Sequence, residues 1–259
     1  MCRLIAYVGG PITPGHIVFD GTHSLFEQTW APREELRPGT LNVDGYGIVW
    51  YADGRAARIA EPRPLWHDED LRTTLSSTTS RCVLAAVSGS SRAGAVPRSL
   101  LPPLIHGRWS FVFGGSVPGF QRAHMRALRA ALPDDLYAEL RGATDAETLF
   151  LLVIAELQKA RSMTTALETV ARAVKSRMGK AEAQLNMVLS DGQRIAAIRC
   201  STVLMTNSLY VAKRPPFAPD GVVLASEAPE SGAVWEAVDG HSALEIQPDG
   251  TVQSDLVFL

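Results

Sequence analysis

Cys2 follows the first methionine directly, and it is the residue of this chain whose type and position best suit covalent chemistry. If Met1 is removed, residue 2 carries a thiol and a free α-amino group. An α-amino group has a pKa of about 7.7 to 8.0 and can act as a base, while a thiol becomes a nucleophile on losing its proton. The pair predicts nucleophilic catalysis without a separate histidine. The alternative is a small apolar residue buried at the start of a strand.

The other cysteines and the histidines show no spacing typical of a metal site or a disulfide framework. Cys82 and Cys200 form no CxxC pair, and no HExxH group occurs. We therefore expect no metal, no cofactor and a reducing compartment. The histidines are expected at the surface or in local hydrogen bonds; they are His16, His23, His67, His106, His124 and His241.

Composition and charge exclude several classes of protein. Apolar residues make up 46% and charged residues 20% of the 259 residues, which is typical of a globular protein and not of a disordered one. The formal net charge of -2 provides no general attraction to nucleic acid or to an anionic membrane. The apolar run at residues 4–8 ends at Gly9-Gly10, too early for a signal peptide or a membrane span. We expect a cytoplasmic protein.

The elements that must position Cys2 change in character along the chain. Strands are predicted first, amphipathic helices in the middle, and strands again at the end. This order indicates an α+β fold, taken here as a single domain over residues 1–259. The predicted strands are 4–8, 44–51, 56–59, 81–87, 108–113, 186–189, 195–200, 208–211, 222–226 and 243–247, and the predicted helices are 121–132, 145–159 and 164–176.

The chain resembles the class II glutamine amidotransferases, and within them the γ-glutamyl amide hydrolases of ergothioneine biosynthesis. Its first nine residues, MCRLIAYVG, are similar to the N-terminus of that family. Further similar segments follow in the order and spacing of the family over nearly the whole length. They are 28–33 (QTWAPR), 42–51 (NVDGYGIVWY), 64–66 (PLW), 83–87 (VLAAV), 107–109 (GRW), 119–120 (GF), 142–147 (GATDAE), 186–192 (NMVLSDG) and 224–229 (LASEAP).

The resemblance implies both a fold and a reaction. The fold is that of an N-terminal-nucleophile (Ntn) hydrolase, a four-layer αββα sandwich with two antiparallel sheets between helices. The reaction is hydrolysis of the γ-carboxamide of a small-molecule amide substrate through a thioester on Cys2. Asp145 matches the family position that binds the substrate α-ammonium group, although an acid in the first turn of a helix is also favoured by the helix dipole. Whether the protein forms a homo-oligomer or binds a synthetase partner stays open.

The chain departs from the family where the substrate α-carboxylate is bound. In relatives, the strand that ends at Val87 is followed by Arg-Ser-Ala-Thr, and the arginine binds the carboxylate as a bidentate pair. Here residues 88–91 are Ser-Gly-Ser-Ser, so Ser88 and Ser91 take these substrate-binding positions. A hydroxyl group cannot replace a guanidinium group, and such a loss costs about 1.5 to 3 kcal/mol. Arg92 is a substitute for the arginine if it folds back, or else a solvated loop residue.

A second departure affects the oxyanion hole. Relatives carry His-Asn-Gly after the strand of Trp109, and the asparagine amide and the glycine N–H bind the oxyanion. This chain has Phe113-Gly114-Gly115. Gly115 keeps the backbone donor, whereas Gly114 has no side-chain donor. Losing one oxyanion donor lowers the rate of an amide hydrolase by about a hundredfold to a thousandfold.

Three hypotheses follow for the function. The first is an active γ-glutamyl amide hydrolase that uses Cys2. The second is a divergent Ntn amidase for a non-glutamyl amide, since the carboxylate-binding arginine and the bulky asparagine are both absent. The third is a catalytically degenerate subunit that binds a ligand or a partner protein, in which a retained Met1 would block the amine.

Overall fold

Two antiparallel β-sheets lie face to face, and helices cover their outer faces. The computed structural model describes residues 2–34, 41–89, 96–179, 181–203, 206–231 and 235–259. In chain order, the strands are β1 (Cys2–Ile12), β2 (Gly45–Ala52), β3 (Arg55–Glu61), β4 (Ser80–Ser88), β5 (Leu104–His106), β6 (Trp109–Phe113), β7 (Gln184–Ser190), β8 (Ile195–Ser201), β9 (Tyr210–Lys213), β10 (Gly221–Ala225), β11 (Glu236–Ala237), β12 (Ser242–Ile246) and β13 (Val252–Leu256).

The order of the strands places β1 in the middle of its sheet. The first sheet has the order β11-β9-β10-β1-β4-β2-β3, and the second has the order β13-β12-β8-β7-β6-β5. β1 pairs antiparallel with β10 on one side and with β4 on the other. The pairing with β4 extends to Cys2, whereas the pairing with β10 begins at Ile5, so β4 positions the residue that begins β1.

The helices form the two outer layers. They are α1 (Pro14–Phe19), α2 (Leu71–Ser76), α3 (Met125–Arg129), α4 (Asp134–Tyr137), α5 (Asp145–Gln158) and α6 (Met163–Met178). Apolar residues of α1 and α2 pack against the first sheet, and those of α5 and α6 pack against the second. Helix, sheet, sheet and helix therefore stack as the four layers that the resemblance implies.

The alternation of side chains along β1 explains its place between two apolar layers. Leu4 and Val8 face the second sheet and belong to the core between the sheets. Ile5 and Tyr7 point the other way and pack beneath the outer helices. All four are almost fully buried. Since side chains alternate with a period of two, Cys2 shares the face of Leu4, and it packs against the core between the sheets.

α5 begins as the sequence predicts, with one difference in its cap. The Thr144 hydroxyl oxygen accepts a hydrogen bond from the Glu147 N–H at 3.2 Å, as in a capping box. The Glu147 carboxylate does not return this bond. It accepts the N–H groups of Arg141 and Gly142 at 2.7 and 3.1 Å, and so connects the loop before the helix to its first turn.

Several elements differ from the sequence prediction. The predicted helix at 121–132 is a π-helical turn at Phe120–His124 followed by α3. Short elements were missed, among them α1, α2 and β5, because a few residues carry too little periodicity to reveal them. The long helices and the central strands, whose apolar periodicity extends over more residues, occur close to the predicted positions.

Candidate active site

Cys2 lies at the start of β1, at one end of the sandwich. Its backbone is paired with that of Ser88, the last residue of β4, and Ser88 is paired in turn with Gly45 at the start of β2. The Cys2 side chain is half-buried. Its thiol donates to the Arg3 carbonyl oxygen at 3.5 Å. Three adjacent strands therefore hold the sulfur at the edge of the core between the sheets.

The surroundings of Cys2 favour the neutral thiol. Burial raises the pKa of the Cys2 thiol to about 11, and this effect outweighs the charge of the amino terminus, a hydrogen bond from Ser88 and the charge of Arg3, which all lower it. A group with this pKa is protonated at neutral pH. Nucleophilic attack by Cys2 therefore requires a base that removes the thiol proton during the reaction.

Ser88 is the predicted substrate-binding residue that the structure brings next to Cys2. Its Cα is the register partner of Cys2, and its side chain bonds to the thiol. Its carbonyl oxygen accepts the N–H of Asp44 at 2.9 Å. Ser91 and Arg92 lie outside the described residues, so their predicted roles in substrate binding stay predictions.

Gly114 and Gly115 follow β6 on the second sheet. The Gly114 N–H donates to the Asn186 carbonyl oxygen at 2.8 Å. A Cβ on Gly114 would lie 2.9 Å from Cδ2 of Leu4, which is two residues from Cys2 on the same face of β1. A Cβ on Gly115 would lie 2.0 Å from the Gln184 carbonyl oxygen, so a larger residue does not fit there without movement of the backbone. This segment therefore faces the part of β1 that carries Cys2.

Asp145 connects α5 to the segment after Gly115. One oxygen of its carboxylate accepts the Val117 N–H at 3.1 Å, and the other accepts the Ala146 N–H at 3.0 Å. Asp145 is only partly buried. The contacts give the side chain a structural function near the predicted oxyanion glycines, and no contact of Asp145 with Cys2 occurs in the described structure.

A buried ionic cluster lies behind Cys2, and the sequence did not reveal it. Glu227 binds His23 through one carboxylate oxygen, and Nε of Arg3 lies 3.4 Å from the other. The same carboxylate accepts the N–H groups of Arg33 and Glu34 at 2.7 and 3.0 Å. Arg3, His23 and Glu227 are each at most 2% exposed. The cluster therefore connects β1, the end of β10 and the segment around residue 33.

The ionised form of Glu227 is favoured within this cluster. Burial opposes ionisation, but His23, the two backbone donors and the charge of Arg3 outweigh it and hold the pKa of Glu227 below its usual value. Both Arg3 and Glu227 occur in segments that resemble the family. This resemblance is the sequence feature that could have pointed to the cluster. His23, expected at the surface or in a local hydrogen bond, is instead buried and bonded to a residue 204 positions away.

A cavity of about 530 Å³ lies at the other end of the sandwich. It is lined in part by Ser80, Arg81 and Asp191. Ser80 and Ser88 are the two ends of β4, and eight residues of strand span about 26 Å, so this cavity is remote from Cys2. The Tyr51 hydroxyl beneath it bonds to the Arg108 carbonyl at 2.9 Å and to neighbouring serine groups. The cavity therefore does not belong to the candidate site.

The described part of the chain contains no cluster of three or more His, Cys, Asp or Glu side chains that could hold a metal ion. In that same part, no helix has the length and apolar character required to span a membrane.

Comparison with known proteins decides the family. Residues 28–228 match the protein-family model described as glutamine amidotransferases class-II. The chain belongs to the class II glutamine amidotransferases. This amidotransferase-family chain is 29% identical to the γ-glutamyl-hercynylcysteine sulfoxide hydrolase of Mycolicibacterium smegmatis, over 99% of the chain and 100% of that protein. It is 27% identical to the hydrolase of the same name from Mycobacterium tuberculosis, over 99% and 97% of the two chains.

Two solved structures share the fold of this chain. A glutamine aminotransferase class-II domain protein from Silicibacter pomeroyi superposes with a TM-score of 0.72 at 21% identity, over the full length of both chains. The allosteric regulatory enzyme of purine biosynthesis superposes with a TM-score of 0.66 at 16% identity, over the whole of this chain and 49% of that one. The predicted family and the α+β sandwich are therefore confirmed, and so is the predicted class of enzyme, an amide hydrolase of the class II glutamine amidotransferase type.

Proposed function

We propose that this class II glutamine amidotransferase cleaves a γ-glutamyl amide through a thioester on Cys2. The observation that carries the proposal is the position of Cys2, half-buried at the start of the central strand and two residues before Leu4, whose side chain lies beside Gly114. Two mycobacterial relatives named as hydrolases of γ-glutamyl-hercynylcysteine sulfoxide align over almost the whole chain. Their names support a γ-glutamyl compound with an amine leaving group as the substrate class.

The bonds that form and break in the proposed reaction involve only groups of residue 2, the substrate and water. After loss of Met1, the α-amino group takes the thiol proton while the sulfur attacks the γ-carbonyl carbon. The C–N bond then breaks, the α-amino group returns the proton to the leaving amine, and a thioester remains on Cys2. Water attacks the thioester, which releases the γ-carboxylate and restores the thiol. The raised pKa of Cys2 makes the adjacent base a requirement.

The remaining site residues are assigned by position. The Gly115 N–H is the backbone donor for the oxyanion that forms at each tetrahedral step, and Gly114 allows its close approach to β1. Ser88 binds substrate beside the thiol and donates to the sulfur. Asp145 binds the substrate ammonium group. Ser91 and Arg92 contribute to binding the carboxylate, a role that rests on the sequence alone.

The proposal also includes the organisation and the environment of the chain. We take residues 1–259 as a single domain, because residues of both sheets contribute to one core between them. The described thiols of Cys82 and Cys200 are free and buried. The Cys2 thiol must stay reduced to react, so we propose that the protein works in the cytoplasm.

The experiment compares wild-type protein with Cys2→Ala, after intact mass has shown that residue 2 is the N-terminus. Both proteins are incubated with γ-glutamyl amides of several amines and with amides that have no glutamyl group, and amine release is measured. Cys200→Ala is the matched control, because Cys200 is buried in the helix-covered core. We expect turnover of γ-glutamyl amides by the wild type and by Cys200→Ala, and none by Cys2→Ala.

Two other outcomes separate the alternatives. Turnover confined to non-glutamyl amides, again dependent on Cys2, would replace the proposed substrate class with that of a divergent amidase. Absence of turnover with every amide, or equal rates with Cys2→Ala, would contradict the proposed reaction and favour a binding subunit.

A further inference from the structure

The peptide groups on both sides of the peptide between Gly114 and Gly115 are bonded to β7 and its extension. The Gly114 N–H donates to the Asn186 carbonyl oxygen at 2.8 Å, and the Ser116 N–H donates to the Gln184 carbonyl oxygen at 2.9 Å. These bonds continue the pairing of β6 with β7. Among the residues that the structure describes, the Gly115 N–H donates to no protein oxygen. It is therefore available to a substrate oxygen.

One side chain binds the carbonyl oxygen of the same peptide group. Nδ2 of Asn207 donates to the Gly114 carbonyl oxygen at 3.0 Å. The C=O and N–H of a trans peptide point in opposite directions, so a bond that holds the Gly114 oxygen also orients the Gly115 N–H. The Asn207 side chain therefore orients the Gly115 N–H by binding the carbonyl oxygen on the opposite side of the same peptide group.

Asn207 is itself rigidly placed. It is 6% exposed. Its N–H donates to Oε1 of Gln184 at 3.1 Å, and its carbonyl oxygen accepts from Nε of Arg199 at 2.7 Å. Because its backbone is bonded at both its N–H and its C=O, its carboxamide is anchored on the second sheet. Such an anchored donor is suited to keeping a peptide in one orientation.

The oriented peptide lies where the reaction needs a donor. Gly114 is in contact distance of Leu4, which lies one strand repeat, about 6.6 Å, from Cys2 on the same face. Gly114 has no side-chain donor, so the Gly115 N–H alone must bind the oxyanion. In relatives that carry asparagine at this position, a side-chain amide is a second donor. We propose that Asn207 is a positioning residue that orients the Gly115 N–H toward the oxyanion formed at Cys2. This inference rests on the proposed function.

The test removes the donor of Asn207 and reads two different reactions of Cys2. Asn207→Asp keeps the shape but puts an oxygen where Nδ2 donates, and Asn207→Ala is the second variant in case the first one does not fold. Hydrolysis of a γ-glutamyl amide needs an oxyanion donor, whereas alkylation of Cys2 by iodoacetamide does not form an oxyanion. Thr202→Val is the matched control, because Thr202 is equally buried and also donates from its side chain to a backbone carbonyl, that of Ala181.

We expect kcat to fall about tenfold to a hundredfold in both Asn207 variants, within the range of a lost oxyanion donor, with KM and the alkylation rate of Cys2 unchanged. Thr202→Val should keep all three values. An unchanged kcat, or equal losses in the rates of hydrolysis and alkylation, would overturn the role of Asn207. If the wild type still turned over the substrate, the proposed function would stand. A wild-type protein without turnover would overturn both.

Discussion

The Leu4 side chain occupies the space into which a side chain at position 114 would extend. Cδ2 of Leu4 lies 2.9 Å from the position of a Cβ on Gly114, closer than real Cβ contacts allow. Leu4 is 1% exposed and belongs to the core between the sheets. Gly114 has no side-chain donor, and the bulky Leu4 side chain fills the space beside it. The two residues therefore fit each other where the two sheets pack together.

This relationship predicts that a carboxamide at position 114 needs a smaller residue at position 4. Gly114→Asn alone should lower the free energy of unfolding by about 1 to 3 kcal/mol, because it overpacks the core. In Gly114→Asn/Leu4→Ala, the amide fits and adds an oxyanion donor, so kcat should rise about tenfold or more over Leu4→Ala. Urea unfolding and steady-state kinetics measure the two effects. Equal kcat values in the double variant and in Leu4→Ala would contradict the prediction.

The buried cluster behind Cys2 predicts a large loss of stability for Glu227→Gln. The substitution removes the carboxylate charge that lies 3.4 Å from Nε of the buried Arg3, and breaking a buried ion pair costs about 3 to 5 kcal/mol. Glu168→Gln is the matched control, because its pair with Arg172 on the surface of α6 contributes less than about 1 kcal/mol. Urea unfolding at neutral pH measures both. Similar losses of stability in the two variants would show that the buried cluster stabilises the fold no more than a surface ion pair does.

The same carboxylate predicts how stability depends on pH. The folded-state pKa of Glu227 is lowered, so its contribution is present in full above the unfolded-state value of about 4.3 and is lost as the pH falls through the folded-state value. Wild-type protein should therefore lose more stability than Glu227→Gln between about pH 5 and pH 3. Urea midpoints across this interval measure the difference. If the urea midpoints of the two proteins fell by the same amount with pH, Glu227 would not be the cause of the loss of stability.

The Cys2 thiol predicts a distinctive pH profile of alkylation. Since burial raises the pKa of Cys2 to about 11 in the chain that carries Met1, the rate at which protein that retains Met1 reacts with iodoacetamide at Cys2 should rise about tenfold per pH unit from pH 7 to pH 10. A hydrogen bond from Ser88 lowers this pKa, so Ser88→Ala should raise it further and slow the reaction at a given pH. Mass mapping of the Cys2 peptide follows the reaction. A rate that levels off below pH 9 would contradict the prediction.

Local patterns in the sequence were sufficient for the family and much of the architecture. The apolar run after Cys2 predicted the strand that is β1, and the threonine cap predicted the start of α5, because both depend on neighbouring residues. The match of segments such as 186–192 in family order led to the αββα sandwich. The short helices α1 and α2 were missed, since their stability comes from packing against the first sheet and not from their own sequence.

The sequence by itself therefore predicted which residues react, namely Cys2 with Gly115 as donor, and it determined which residues of the family motifs are absent. Only the tertiary structure decided how these residues are supported. His23 meets Glu227 across 204 positions, and Asn207 meets Gly114 across 93. Such contacts depend on strand register and on the packing of one sheet against the other, and neither leaves a periodic signal in the chain.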